Sequence, residues 1–255
     1  RDLYLGDHMD RVVSRIMGFF LFWPIVVPLL AEGILAVGTW RTVFTVGLAL
    51  AGVGTVWSLR FGETLDPVDR RPLGWAATGE AFRRIATSRT TVGYLLALTF
   101  TGAAFFIWLG SSQPVFDLVY GRADQFAVMF SAGGVVTAVG FFSVGWFIKR
   151  YGAHRVAVTS IGVVLVLNIA LVALVARAGG RPSFWVWFIL IMASNVFLSM
   201  VIPTGLALAL RPLGSIAGPA AGVIGACSMA GSAVLAALVD ARISTTVTPM
   251  TVGYL

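Results

Sequence analysis

The sequence predicts an all-α integral membrane protein: a helical bundle of seven spanning segments followed by the start of another. Three observations carry that prediction. Residues of the AVILMFWYC set make up 58% of the 255-residue chain, while only 11% are charged, against about 25% in a soluble domain. The apolar residues fall in seven long windows, 16–37, 42–59, 91–113, 126–148, 156–176, 184–210 and 216–239. Each is long enough to cross roughly 30 Å of hydrocarbon as a helix. The cations lie between the windows, and Glu32 is the one charge within any of them.

The first window contains Trp23, Pro24 and Pro28. Its prolines predict helix kinks, with Trp23 walling a cavity at the kink or touching lipid. Glu32 lies about 24 Å along the helix from Ile16, in the outer third. It either reaches the headgroups or Arg41, or faces a cavity and meets a cation or a proton. After the second window the chain enters its longest loop. Three parts are expected: 1–59 as the end of an amino-terminal bundle, 60–90 as a central cytoplasmic loop, and 91–255 as a carboxy-terminal bundle. Pro67 and Pro72 discourage helix early in the loop. Residues Glu80 to Arg89 place Phe82, Ile85 and Ala86 on one face beside Arg83 and Arg84. That pattern fits a short helix on the inner leaflet or a solvated basic linker.

The third window presents Tyr94, Phe105, Phe106, Trp108, Ser111, Ser112 and Gln113. Aromatics with a few polar tips suit a site that binds lipophilic molecules by shape and area. Lipid contact is the competing reading, above all an interfacial position for Trp108. In later windows, Asn168 reads as packing glue. Asn195 reads as an interhelical hydrogen bond or a substrate contact, and Pro203 as a kink. Gly214, Gly218 and Gly222 recur every four residues, so this face is expected to pack closely or to slide. His154 reads as solvated and Cys227 as buried without chemistry. A last helix is expected after Pro249.

Arginine placement orients the chain. With residues 1–15 inside, thirteen cations lie on the inner side and five on the outer, as the positive-inside rule demands. The net charge of +7 is then matched to headgroups rather than to nucleic acid. One cysteine and two histidines exclude a disulfide framework and a protein-only metal cluster. Lys149 is the single lysine and does not follow a glycine, so there is no Walker A loop. No cofactor is expected. A retinal pump would need a lysine within a span, and a prenyl or glycosyl transferase would need acidic clusters for metal-diphosphate; both are lacking.

Read in order, several segments resemble the major facilitator superfamily, and within it the Bcr/CflA-type drug efflux branch. Arg1-Asp2-Leu3-Tyr4, Gly6-Asp7, Arg11, Ser14 and Ile16-Met17 are similar to the junction between that family's fourth and fifth spans. Pro24 and Pro28, then Trp40-Arg41 and Phe44, resemble its fifth span and the approach to the sixth. Glu63-Thr64-Leu65 and Arg70-Arg71-Pro72-Leu73 resemble the start of its central loop. Ser112-Gln113-Pro114, Ile202-Pro203 and Ile216-Ala217-Gly218 with Ala220-Ala221 resemble parts of its seventh, tenth and eleventh spans.

The resemblance implies spans five to eleven and the start of twelve, four spans preceding Arg1, and a site in the bacterial inner membrane. It also implies a carrier, monomeric when whole, that exports small lipophilic or cationic compounds in exchange for protons by alternating access. Import or exchange of a specific metabolite is the alternative. Two departures stand out. Glycines of the family's antiporter motif are missing around Pro28, where the run is Val27-Pro28-Leu29-Leu30-Ala31-Glu32. Gly145, Lys149, Arg150, Gly152 and Arg155 resemble a degenerate gating-loop motif, with Lys149 where an aspartate would stand.

Overall fold

The computed structural model describes residues 26–27, 29–60 and 75–255. Trp23, Pro24 and Pro28, and the turn at Glu63–Pro67, lie outside the described residues. The chain divides into two compact units, residues 1–73 with 127–134, and residues 74–126 with 135–255.

In the first unit, residues 29–37 are helical, and α1 spans Trp40–Arg60. No residue of α1 is buried, and Phe44, Leu48, Trp57 and Leu59 are each more than 65% exposed. A helix that is apolar all round yet exposed has lipid or other helices as its natural surroundings. Trp40 meets Phe44 edge-on at 6.0 Å, and the Arg41 guanidinium lies over the Trp40 ring at 5.1 Å.

The second unit is built from α2 (Trp75–Thr87), α3 (Arg89–Pro114), the carboxy-terminal part of α4 (Phe126–Tyr151), α5 (Ala153–Arg177), α6 (Phe184–Leu210), α7 (Ala217–Asp240) and α8 (Thr248–Gly253). Among the described residues, six helices are long and apolar enough to cross a membrane. The all-α membrane bundle expected from the sequence is therefore observed. The first expected window lies partly beyond the described residues.

Helix boundaries shift by a few residues from the sequence reading, and two of the shifts matter. The third span does not stop at Gln113. It continues through Pro114 into a π-helical turn, Val115–Val119, which buries Val115 and Phe116. Proline lacks only its own N–H, and a one-residue change of register accommodates that loss without breaking the helix. The seventh span runs one residue past the apolar window, to Asp240. Glu32 is thus not the sole charged residue in a spanning helix.

Helix α2 also corrects its expected face. Ala81 and Ile85, four apart, are buried, whereas Phe82 and Ala86 are exposed. Ile85 packs in one cluster with Leu98, Ala209, Leu213, Ala220 and Ile224. The helix is therefore docked on protein through Ile85 rather than floating as a linker. Its polar side carries Glu80, paired with Arg83 at 2.9 Å and Arg84 at 2.6 Å. Arg84 and then Arg83 hold the Glu80 carboxyl below its ordinary value of 4.5.

Close approach is achieved at glycines, but not at those the four-residue spacing highlights. Gly218 and Gly222 face open space within this unit. Tight helix–helix positions include Gly102 and Gly231, where an added Cβ would meet Ser232 and Thr99, and Gly140, where it would meet the Val196 carbonyl. Ser232 Oγ donates to the Thr99 carbonyl at 2.7 Å across the same α3–α7 seam. Small residues let helix backbones approach where lipid removes the hydrophobic drive between helices.

Gly140→Ala is expected to destabilise the protein by about 1–3 kcal/mol, because backbone must move to admit the methyl. Gly162→Ala, on α5 with nothing near its Cβ position, is expected to be neutral or slightly stabilising. Thermal melts of both variants in one detergent check this, and equal melting temperatures would refute the contrast.

Candidate functional site

Side-chain contacts sort the ends of the helices in the second unit. Thr91 Oγ1 donates to the Ala209 carbonyl at 3.0 Å, joining the start of α3 to the end of α6. Tyr94 Oη and His154 Nδ1 lie 2.7 Å apart, joining the start of α3 to the start of α5. His154 is therefore not merely solvated. This end gathers Arg83, Arg84, Arg89, Lys149, Arg150, Arg155 and Arg211, with Glu80 as its described carboxylate. The opposite end, where Tyr120 Oη donates to the Pro182 carbonyl at 3.2 Å, carries Arg122, Arg177, Arg181 and Arg242 against Asp117, Asp124 and Asp240. Burial pushes the Tyr120 phenol above its usual range. The charge asymmetry survives folding as a property of two physical ends.

The basic-end loop shows why its glycine is needed. Gly152 ends α4 and starts α5 with φ +82°, a region that disfavours any residue with a Cβ. Its N–H donates to the Ile148 carbonyl at 2.8 Å, and its own carbonyl accepts from Val156 at 3.1 Å. Lys149 and Arg150 occupy the last turn of α4, and Arg155 the first turn of α5; all three are exposed. Gly145 lies inside α4, also exposed. Cations suit the α4 terminus, where the helix dipole is negative. They do not suit the start of α5, where Arg155 is exposed.

Along α3 the expected site residues separate into two environments. Phe105 and Phe106 are half-buried, their rings 6.2 Å apart. Ser111 and Ser112 are buried and Gln113 is exposed. Trp108 is neither in a lipid belt nor open to a cavity: it is 5% exposed and packs on Trp187 and Phe188 of α6. Phe116, fully buried, meets Phe126, Phe184, Trp187 and Phe188. Ser112 lies one turn from both Trp108 and Phe116 on that face. Its Oγ and the Trp187 Nε1 are buried without hydrogen-bond partners.

Asn195 is buried on α6 and accepts a hydrogen bond from Tyr254 Oη at 3.0 Å. Asn168 Nδ2 donates to Ser194 Oγ at 3.3 Å, tying α5 to α6. Both behave as interhelical ties. Pro203 is half-buried inside α6, beside Thr204, whose hydroxyl donates to the Met200 carbonyl at 2.7 Å. Cys227 is half-exposed rather than buried. In the other unit Glu32 is exposed and has no ion-pair partner among the described residues.

Sequence reasoning missed Asp240. Its carboxylate accepts a hydrogen bond from Ser111 Oγ of α3, and its other oxygen lies where a Cβ on Gly110 would be. The available signal was its place one residue beyond an apolar window. The contact itself joins residues 129 positions apart, a pairing no local pattern encodes.

With this geometry in place, the chain can be compared with known proteins. It is 26% identical over 98% of its length to the uncharacterized MFS-type transporter YdgK of Bacillus subtilis (strain 168). It is 24% identical over 98% of its length to a bicyclomycin resistance protein homolog of Haemophilus influenzae. It spans 62% and 63% of those two relatives. No solved structure matches. A family profile described as Major Facilitator Superfamily matches residues 1–236. That match takes in nearly the whole helical series rather than one span, and the chain belongs to the Major Facilitator Superfamily.

Proposed function

We propose that the protein is a secondary active transporter of the Bcr/CflA-type branch, exporting small lipophilic or cationic compounds in exchange for protons. The observation that carries this reading is the composition of α3. Half-buried Phe105 and Phe106 lead, past buried Ser111 and Ser112, to exposed Gln113, and no lysine or arginine occurs between Arg89 and Arg122. Such a surface recognises area and shape, tolerates neutral or positive cargo and repels none of it electrostatically. The resistance named for the Haemophilus influenzae relative points the same way. In the absence of a phosphate loop in the sequence, an ion gradient is the natural driving force.

In this reading residues 1–59 close an amino-terminal bundle, 60–90 link the halves on the cytoplasmic side, and 91–255 belong to the carboxy-terminal bundle. The basic end of the second unit faces the cytoplasm of a bacterial inner membrane, and the protein acts as a monomer. Cargo is exposed to each side of the membrane in turn by alternating access.

Glu32→Gln is expected to leave the ratio of resistance to a cationic dye and to a neutral antibiotic unchanged at matched expression. An exposed carboxylate without a partner contributes only about 0–1 kcal/mol. A selective loss of resistance to the cationic dye would instead place Glu32 on the cargo path.

Orientation can be read separately. Neutralising Arg70, Arg71, Arg83 and Arg84 together is expected to weaken inside retention of the 60–90 loop, at about 1 kcal/mol for each cation near an anionic surface. Membrane-impermeant labelling of a cysteine placed in that loop measures this. Unchanged inside labelling would mean that the flanking spans set orientation without those arginines.

A further inference from the structure

Asp240 is the most unusual charge in the second unit. It is the last residue of α7, a spanning helix, and is half-buried. The helix dipole puts partial negative charge at that terminus, so a carboxylate is disfavoured there. Among the described residues no lysine, arginine or histidine pairs with it; the ion pairs found are those of Glu80. Arg242, two residues on, turns its Nη1 to the Leu238 carbonyl at 2.9 Å, stitching the helix end rather than neutralising Asp240. The carboxylate's one described hydrogen-bond donor is the Ser111 hydroxyl. It overlies the backbone of Gly110, which has no side chain to displace it.

A carboxylate in this position adds to the partial negative charge of the terminal carbonyls of α7, and the low screening of a membrane boundary strengthens the field of both. The surface beside it is apolar. Leu109, next to Gly110 on α3, is 41% exposed. Negative charge bordered by an exposed leucine at a membrane boundary is complementary to one ligand chemistry, a positively charged nitrogen carrying apolar substituents.

We propose that Asp240, with Ser111 and the backbone of Gly110, forms a subsite for the charged nitrogen of a lipophilic organic cation at the Asp240 end of the α3–α7 pair. Ser111 holds the carboxylate in place by one oxygen. The second oxygen, over Gly110, is the one that meets the ligand. A cation there relieves both the unpaired carboxylate and the α7 dipole, whereas a neutral ligand relieves neither. The inference rests on the reading of the protein as a carrier of lipophilic compounds, and it adds the site at which cationic members of that class are distinguished.

The competing account is a purely structural tie between α3 and α7, and the test separates the two. Binding of ethidium and of the neutral dye Nile red is measured on the full chain in nanodiscs. Asp240→Asn keeps an acceptor for Ser111 and removes the charge. It is expected to weaken ethidium binding about tenfold or more, and to do so more than it weakens Nile red binding. Asp124→Asn, removing an exposed carboxylate from the same end, is the control and should not alter the ethidium affinity. Equal loss of both dyes on Asp240→Asn, or no loss of either, would overturn the subsite and leave a structural tie.

If wild-type chain binds Nile red but not ethidium, the subsite falls while the lipophilic reading stands; if it binds neither, both fall. Should Asp240→Asn not fold, the unaltered protein decides. Ethidium should slow modification of Asp240 by a hydrophobic carbodiimide, read by peptide mass, and Nile red should not. Equal modification with and without ethidium would refute the proposal.

Discussion

Hydrocarbon offers no hydrogen bonds, and that constraint governs this chain from end to end. Every backbone N–H and C=O within the membrane must be satisfied by the protein itself, so the apolar windows are helices. Lipid is also as apolar as leucine, so nothing squeezes those helices together as water would. What holds the second unit is close steric fit at a few points where a side chain is missing. Gly102, Gly140 and Gly231 admit a neighbouring helix to within contact distance, and the Ser232 hydroxyl then reaches the Thr99 carbonyl. Helix α6 is central to this arrangement, with Trp187, Ile191, Val201 and Ala209 all fully enclosed.

The same constraint explains where polar atoms sit. Asn168, Ser194 and Asn195 are buried in α5 and α6, and each has a partner on a neighbouring turn or helix. Thr204 and Thr251 return their hydroxyls to carbonyls of their own helices. Against that background, Asp240 is conspicuous. It is a charged group at the edge of the hydrocarbon whose described partner is a neutral hydroxyl. Other described charges on the spanning helices, such as Lys149, Arg150 and Arg155, are exposed.

The helix series and its polarity were legible because both are one-dimensional. A window of apolar residues, a loop with several arginines and a glycine between Lys149-Arg150 and Arg155 need no knowledge of neighbours. The family resemblance was legible for a related reason: its motifs are ordered along the chain, and the profile match over residues 1–236 reflects the same order. Helix boundaries were less legible. Pro114 looks like a stop, yet the following turn stays helical because Val115 and Phe116 have a buried aromatic surface to join. On α2, spacing put Phe82 and Ala86 beside Ile85, whereas docking through Ile85 buries Ala81 and leaves those two exposed.

By itself the sequence determined that the chain is a bundle of membrane-spanning helices, where six of them run, and which ends are basic. Those are properties of composition and local period, since hydrocarbon thickness and backbone hydrogen bonding impose them on any such chain. Tertiary structure decided which glycines matter, that Trp108 faces α6 rather than lipid, that Tyr94 meets His154, and that Asp240 meets Ser111. These follow from the rotation of each helix about its own axis and from which helix lies beside it. In lipid, where every face of an apolar helix is equally tolerable, that rotation is chosen by steric fit between residues far apart in the chain.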